Sequence, residues 1–271
     1  MDYLARDDAP FSEELWKQID GAVVSGAKET LVGRRFLPLY GPLGPGVAHI
    51  KIDHPGKEEV LQDGFAVMQN RELAQLPQLY EDFWIYWRDY AAANHANLPL
   101  DLSPAREAAQ ILARREDNMI FYGNKALGID GLLTASGSQS VKRSDWSSGE
   151  GAFTDVASAM TALQQNGCYS RYTLIVSPDL YISLQRLQAS VGVLEAERIA
   201  RLINGKVFMA TVLEPNTALL VCPQPQFMDL VVGQDMATAY TELVDLNHHL
   251  RILETALPRI KNPKAIVVFK K

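Results

Sequence analysis

The stretch DLSPAREAAQILARREDNMIFYGN, Asp101 to Asn124, organises the chain, and its spacing predicts the longest helix of the protein. Ser103 is a natural N-cap, and Pro104 follows at the first helical position, where the N–H it lacks would be unpaired in any case. Ala105, Ala108, Ala109 and Leu112 recur at helical spacing as one apolar stripe, with Arg106, Gln110, Arg114 and Asp117 expected on the opposite face. One turn further the stripe meets Glu116, a carboxylate where an aliphatic side chain is due. It needs a partner or a water-filled gap, and the expected solution is that it snorkels to solvent near the helix end. Small alanines allow close approach, so this helix reads as a spine on which other parts lie.

Around the spine, a chain of 271 residues has ample length for one large core or two smaller ones. Cys168 and Cys222 lie far apart with no metal-ligand spacing, which fits a reducing compartment better than a disulfide scaffold. The opening MDYLARDDAPFSEELW carries three aspartates and no continuous apolar run, so no secretory signal is expected, and no apolar run reaches the ~18 residues of a membrane span. The expectation is a soluble, cytoplasmic protein without a membrane partner. Net charge is −6, and no Lys/Arg block is denser than Gly33-Arg34-Arg35, which argues against a nucleic-acid partner.

Before the spine, residues 1 to 11 read as an arm, and Ser12 caps a helix to about Leu31 with Trp16, Ile19, Val23 and Ala27 as its apolar face. Phe11 and Trp16 are placed for a hydrophobic staple, and Gly33 is expected to stop the helix. Phe36 to Tyr40 reads as a short extended piece, followed by an irregular Gly/Pro loop. From Val47 to Leu76 the pattern suggests a long two-stranded excursion that cannot bury both faces by itself. LPQLYEDFWIYWRDY then concentrates aromatic residues suited to a core or a subunit contact.

After the spine, a Ser/Gly-rich loop from 128 to 151 marks a domain boundary. A helix over 153–165, the β run YTLIVSP, a helix DLYISLQRLQAS and a helix over 194–203 imply an α/β layer, continued by KVFMATV, TALLVCP and MDLVVG. ATAYTELVDL, HLRILETALPRI and AIVVFK are expected as strands of one sheet. His248 and His249 are adjacent on an alternating strand and point to opposite faces, so they do not share an ion. No HExxH, GxSxG or DxDxG pattern accompanies any histidine, and no catalytic, cofactor or metal residue is assigned.

MDYLARDDAPFSEELWKQID, GRRF, EDNMIFYG followed by GIDGLL, YTLIVSPDLY, VVGQDMATAY and ETALPRIKNPKAIVVFK together resemble the encapsulins, shell proteins of bacterial and archaeal nanocompartments, in the same order over the whole chain. The resemblance implies an α+β fold like that of the Hong Kong 97 phage major capsid protein. It implies a peripheral domain made of 1–46 (arm and first helix), 77–131 (with the spine) and 229–271 (C-terminal strands), an extended loop at 47–76, and an axial domain at 132–228. The arm and extended loop are then completed by neighbouring subunits. The implied function is a non-enzymatic shell that self-assembles as about sixty copies or a multiple and encloses a cargo enzyme, a dye-decolorising peroxidase or ferritin-like protein, docked by its C-terminal targeting peptide.

Other readings in the same fold or family are a phage capsid protein and a secreted bacteriocin or protease, the last requiring an export signal and a nucleophile motif. The cargo-docking candidates are Trp16, Ile19, Val23 and Ala27 on the first helix with Arg34 and Arg35 beyond its end. Only Arg34 matches the family pattern, and the two arginines either orient a peptide carboxylate or pair with acidic residues of the shell wall. The five-fold pore loop is placed at Ala189, Ser190, Val191, Gly192 and Val193, where relatives carry a Gly-His-Tyr-Pro-like turn. Some relatives stack a flavin on a tryptophan; the aromatic stretch here has an extra Trp and Tyr, and no flavin is carried over.

Overall fold

A computed structural model describes residues 3–52, 58–60, 64, 66–68, 72–96, 98–188 and 192–270. The chain runs through α1 (Glu13–Thr30), β1 (Leu39–Tyr40), β2 (His49–Lys51), β3 (Glu58–Val60), β4 (Ala66–Met68), β5 (Leu73–Gln75), β6 (Gln78–Ile85), α2 (Trp87–Ala96) and α3 (Ser103–Tyr122). It continues through β7 (Gly123–Asn124), β8 (Ile129–Asp130), β9 (Gln139–Lys142), α4 (Gly151–Gln165), β10 (Thr173–Val176), α5 (Pro178–Ser183), β11 (Leu187–Gln188), β12 (Val193–Leu194) and α6 (Glu195–Leu202). Last come β13 (Lys206–Met209), β14 (Ala218–Val221), β15 (Met228–Val244), β16 (Asn247–Ile260) and β17 (Ile266–Lys270).

Two sheets carry the structure. One has the order β1-β15-β16-β6, and the other β13-β10-β14-β17-β9. The spine is α3, at 20 residues the longest helix, and it packs on β6 and β16 with α1 lying across it. Its stripe behaves as read: Ala105, Ala109 and Leu112 are fully buried. The close crossing of α1 and α3 depends on Gly26, where an added Cβ would stand 2.5 Å from the Arg106 carbonyl oxygen. In the second layer β10 and β14 are buried along their whole length, which is why TLIV and ALLV are continuous apolar runs rather than alternating ones. There α4 packs on β14 and β17, while α5 and α6 lean on β13.

Several expectations are corrected. Ser103 is not the cap of α3 but its first helical residue, with Leu102 at the cap position, and Asp101 Oδ1 just before it accepts from the Ser103 N–H (2.9 Å) and hydroxyl (2.6 Å). Asp117 is not on a solvent face but buried, because the backbone corner after α1 offers it two donors. Gly33 does not end α1 in a left-handed cap: Leu31 is the cap residue and Gly33 opens a single 3-10 turn. DLYISLQRLQAS is helical only over Pro178–Ser183, after which β11 begins.

MDLVVG is the first third of the bulged β15 rather than a strand of the second sheet, and AIVVFK (β17) leaves the C-terminal strands to pair with β14 and β9. The boundary expected at 229 therefore does not hold for the last strand. The arm is tied to its own chain: Tyr240 N donates to Leu4 O (2.9 Å), Arg6 Nε to Thr238 O (2.9 Å), and Arg6 forms a bidentate pair with Asp20. Phe11 does staple Trp16, with ring centroids 5.4 Å apart. Within the 47–76 excursion, β2 pairs with β5 and β3 with β4, and the Ile52 N–H donates to Glu72 O at 3.1 Å.

Candidate functional site

Where α1 ends against the spine, one arginine is surrounded by carboxyls. Arg34 Nε donates to Glu116 Oε1 (3.0 Å) and Oε2 (2.9 Å), Nη2 to Glu116 Oε2 (2.6 Å) and Glu254 Oε2 (2.7 Å), and Nη1 to Asp235 Oδ1 (2.6 Å). Glu116 does not snorkel; it is fully buried, and its partner is Arg34. The spine, the segment after α1, β15 and β16 thus meet at a single guanidinium. Burial alone would depress the Arg34 pKa, but the hydrogen bond and charge of Glu116 and the charge of Glu254 raise it. Glu254, also fully buried, has its pKa pushed well up by burial first and by the Glu116 charge second. Asp235, with its side chain 64% exposed, loses some hydration against the wall, which works to raise its pKa, but Arg34 holds it below the usual range.

Asp117 fixes the neighbouring corner. Its two oxygens accept from the N–H groups of Val32 and Gly33, both at 2.8 Å, and burial raises its pKa to about 7 against the pull of those donors.

Beside this cluster an apolar groove of about 340 Å³ opens between α1 and β15. Its floor is Ala27, Leu31 and Met236, which form a small apolar cluster with Ala113 of the spine. Val23 and the 46% exposed Val24 form one wall, and Lys28, Arg35 and Asp235 form a polar rim. Of the sequence candidates, Val23, Ala27, Arg34 and Arg35 come together here, whereas Trp16 and Ile19 are turned into the core. Val24, Leu31 and Met236 were missed: Leu31 lies at the helix end, Val24 next to the apolar stripe, and Met236 arrives from a strand some two hundred residues away. Arg35 anchors itself by donating from Nη2 to Lys28 O (2.9 Å).

Of the pore-loop candidates, Ala189, Ser190 and Val191 lie outside the described residues. Gly192 has the left-handed φ of 67° that favours glycine, and Val193 pairs with Gln188 in the β11–β12 ladder.

A family model described as Linocin_M18, encapsulating protein for peroxidase, matches residues 1–257. The chain belongs to this family of encapsulin shell proteins. It is 38% identical over 273 aligned residues to the type 1 encapsulin shell protein EncA of Myxococcus xanthus, covering 98% of this chain and 95% of the relative. It is 37% identical to a diheme-cytochrome-encapsulin shell fusion protein of Kuenenia stuttgartiensis, covering 94% of this chain and 72% of that one. Among solved structures, the virus-like particle of Pyrococcus furiosus superposes with a TM-score of 0.74 at 23% identity, over 95% of this chain and 100% of that chain. The capsid of Myoviridae phage XM1 superposes at 0.64 with 11% identity, over 87% and 90%. The fold is the phage major-capsid fold, and this encapsulin is a structural shell protein rather than an enzyme.

Proposed function

We propose that the chain closes into an icosahedral compartment of about sixty copies or a multiple, located in the cytoplasm, and that the groove beside Arg34 receives the C-terminal targeting peptide of a cargo enzyme. The observation that carries the docking reading is the groove itself: an apolar floor and wall with both signs of charge on the rim. A short, disordered peptide with a few aliphatic residues and a cation finds burial on Val24, Leu31 and Met236 and a partner in exposed Asp235. The cargo class is a peroxidase or a ferritin-like protein. The family description names peroxidase, and a relative in Pyrococcus furiosus is a ferritin-like-encapsulin shell fusion protein. The shell itself is proposed to need no cofactor.

The test is co-expression with a peroxidase bearing its own C-terminal peptide, followed by size exclusion, electron microscopy and the cargo-to-shell ratio on a denaturing gel. Wild type should yield closed particles of megadalton mass, and a monodisperse monomer or dimer sinks the shell reading. Val24→Asp is exposed and should leave particles intact while lowering cargo strongly, and Ser25→Asp on the neighbouring face should load normally. Wild-type loading in Val24→Asp moves docking off this groove.

A further inference from the structure

The arginines of this protein are mostly matched to carboxylates. Arg6 pairs with Asp20, Arg106 with Glu29, Arg115 with Glu81, Arg251 with Asp82 and Arg259 with Asp229. That is the arrangement expected of a chain with 32 acidic residues against 26 Lys and Arg. One recess departs from it. Between the segment after α1, the approach to β10 and the α6–β13 turn lies a pocket of about 790 Å³ whose lining includes Arg35, Arg171, Arg201 and Lys206 and no carboxylate.

Four cationic residues from separate segments line it, and all four are exposed. Like charges so placed repel one another, and with no acid in the lining the recess holds a positive potential inside a protein of net charge −6. Its walls are not apolar filler either. Phe36 and Phe208 stand with ring centroids 6.3 Å apart, and Asn204 and Gln224 add amide groups. The recess is rigidly built: Tyr172 on its wall is buried and donates from its hydroxyl to Cys168 O (2.5 Å). At the Asn204–Gly205 turn any Cβ on Gly205 would fall 1.8 Å from Tyr172 O.

We propose that this recess is a binding site for an oligophosphate, the chemistry shared by inorganic polyphosphate and a nucleoside triphosphate. The Arg171 and Arg201 guanidinium forks match phosphate oxygens two at a time, Lys206 supplies a point charge, and Arg35, whose Nη2 is held by Lys28 O, adds its positive charge at the edge. A single phosphate underuses four cations, whereas a chain of phosphates meets all of them, and the volume accommodates a ligand of nucleotide size. All of its lining residues come from one chain.

The experiment is calorimetric titration of the full-length protein, as purified, with tripolyphosphate, ATP and adenosine at low salt. Tripolyphosphate and ATP should bind and adenosine should not, and affinity should fall steeply as salt rises. Arg171→Gln with Arg201→Gln should weaken binding about a hundredfold, about tenfold per lost charged contact, and Arg201→Lys should recover part of it. ATP binding more tightly than tripolyphosphate assigns the rings of Phe36 and Phe208 to a base and the site to a nucleotide; equal affinity assigns it to inorganic polyphosphate. Absence of binding by either anion, or binding unaltered in the double variant, overturns the proposal. If wild type binds neither and the double variant no longer forms particles, the recess belongs to an acidic segment of a neighbouring copy instead.

Discussion

At the scale of single residues, the informative positions are the charges placed where the apolar pattern breaks. Glu116 interrupts the spine stripe, and the sequence signals that something must answer it. The answer is Arg34, eighty-two residues earlier, together with Glu254 from the far strand, and no local spacing links those three. Arg34 is therefore a strut, and the wall-pairing reading of it is the one the geometry supports. Removing it leaves two buried carboxyls without a cation, a loss of about 3–5 kcal/mol. Arg34→Ala should show this as a lower denaturant midpoint before any effect on cargo; wild-type stability would show the cluster to be dispensable.

The same corner sets a pH dependence. Asp117 has a folded pKa of about 7 against an ordinary 3.8, and Glu254 is shifted in the same direction. Groups raised in this way contribute stability that is complete below the unfolded pKa and is lost as pH rises through the folded one. For Asp117 the window runs from 3.8 to about 7, with a ceiling of roughly 4 kcal/mol. Asp82 and Asp235 are lowered and titrate below that window. Thermal unfolding at a series of pH values should show stability falling between about pH 5 and 7, with a shallower slope in Asp117→Asn. An identical slope in the variant would assign the dependence elsewhere.

At the scale of elements, the long amphipathic helices were legible, whereas α2, whose residues read only as an aromatic stretch and a polar link, and the strand partners were not. Ser12, the Phe11–Trp16 staple and the 3.6-residue stripes are local signals, and both α1 and α3 sit where these place them. The short α5 and the single long strand β15 escaped because tertiary pairing outweighs local preference: MDLVVG joins ATAYTELV through bulges that only the partner β16 defines. Gly26 carries the crossing of the two helices, yet in the sequence it is one glycine among eighteen. Gly26→Val should force α1 away from α3 by colliding with the Arg106 carbonyl, costing about 1–3 kcal/mol as overpacking and tilting the groove floor. Faster hydrogen exchange across α1 than across α3 is the expected signature, and unaltered exchange in both helices would mean that the crossing adapts without cost.

At the scale of the whole molecule, the family could be read from the motif order along the chain, but the attachment of the peripheral segments could not. The arm lies on its own β15, held at Leu4 and Arg6, so it has a place before any neighbour arrives. The extended loop differs. Its base is fastened, with Ile52 bonded to Glu72, Arg259 Nη1 donating to Lys51 O (3.1 Å) and Ile50 packed against the core. Beyond the base, among the described residues, β3 and β4 pair only with each other, and a two-stranded ribbon of that kind is marginal alone. Its stability must come from another subunit if it contributes to assembly. Because Ile52 and Glu72 are already paired, residues 53–71 can be replaced by Asn-Gly, the dipeptide favoured in tight hairpin turns, without disturbing β2 or β5. The shortened chain should fold, with near-wild-type circular dichroism and a cooperative unfolding transition, and should fail to form closed particles in light scattering and electron microscopy. Intact shells from it would show that closure rests on the two sheets and the helices alone; a chain that unfolds would show that the excursion also supports its own subunit.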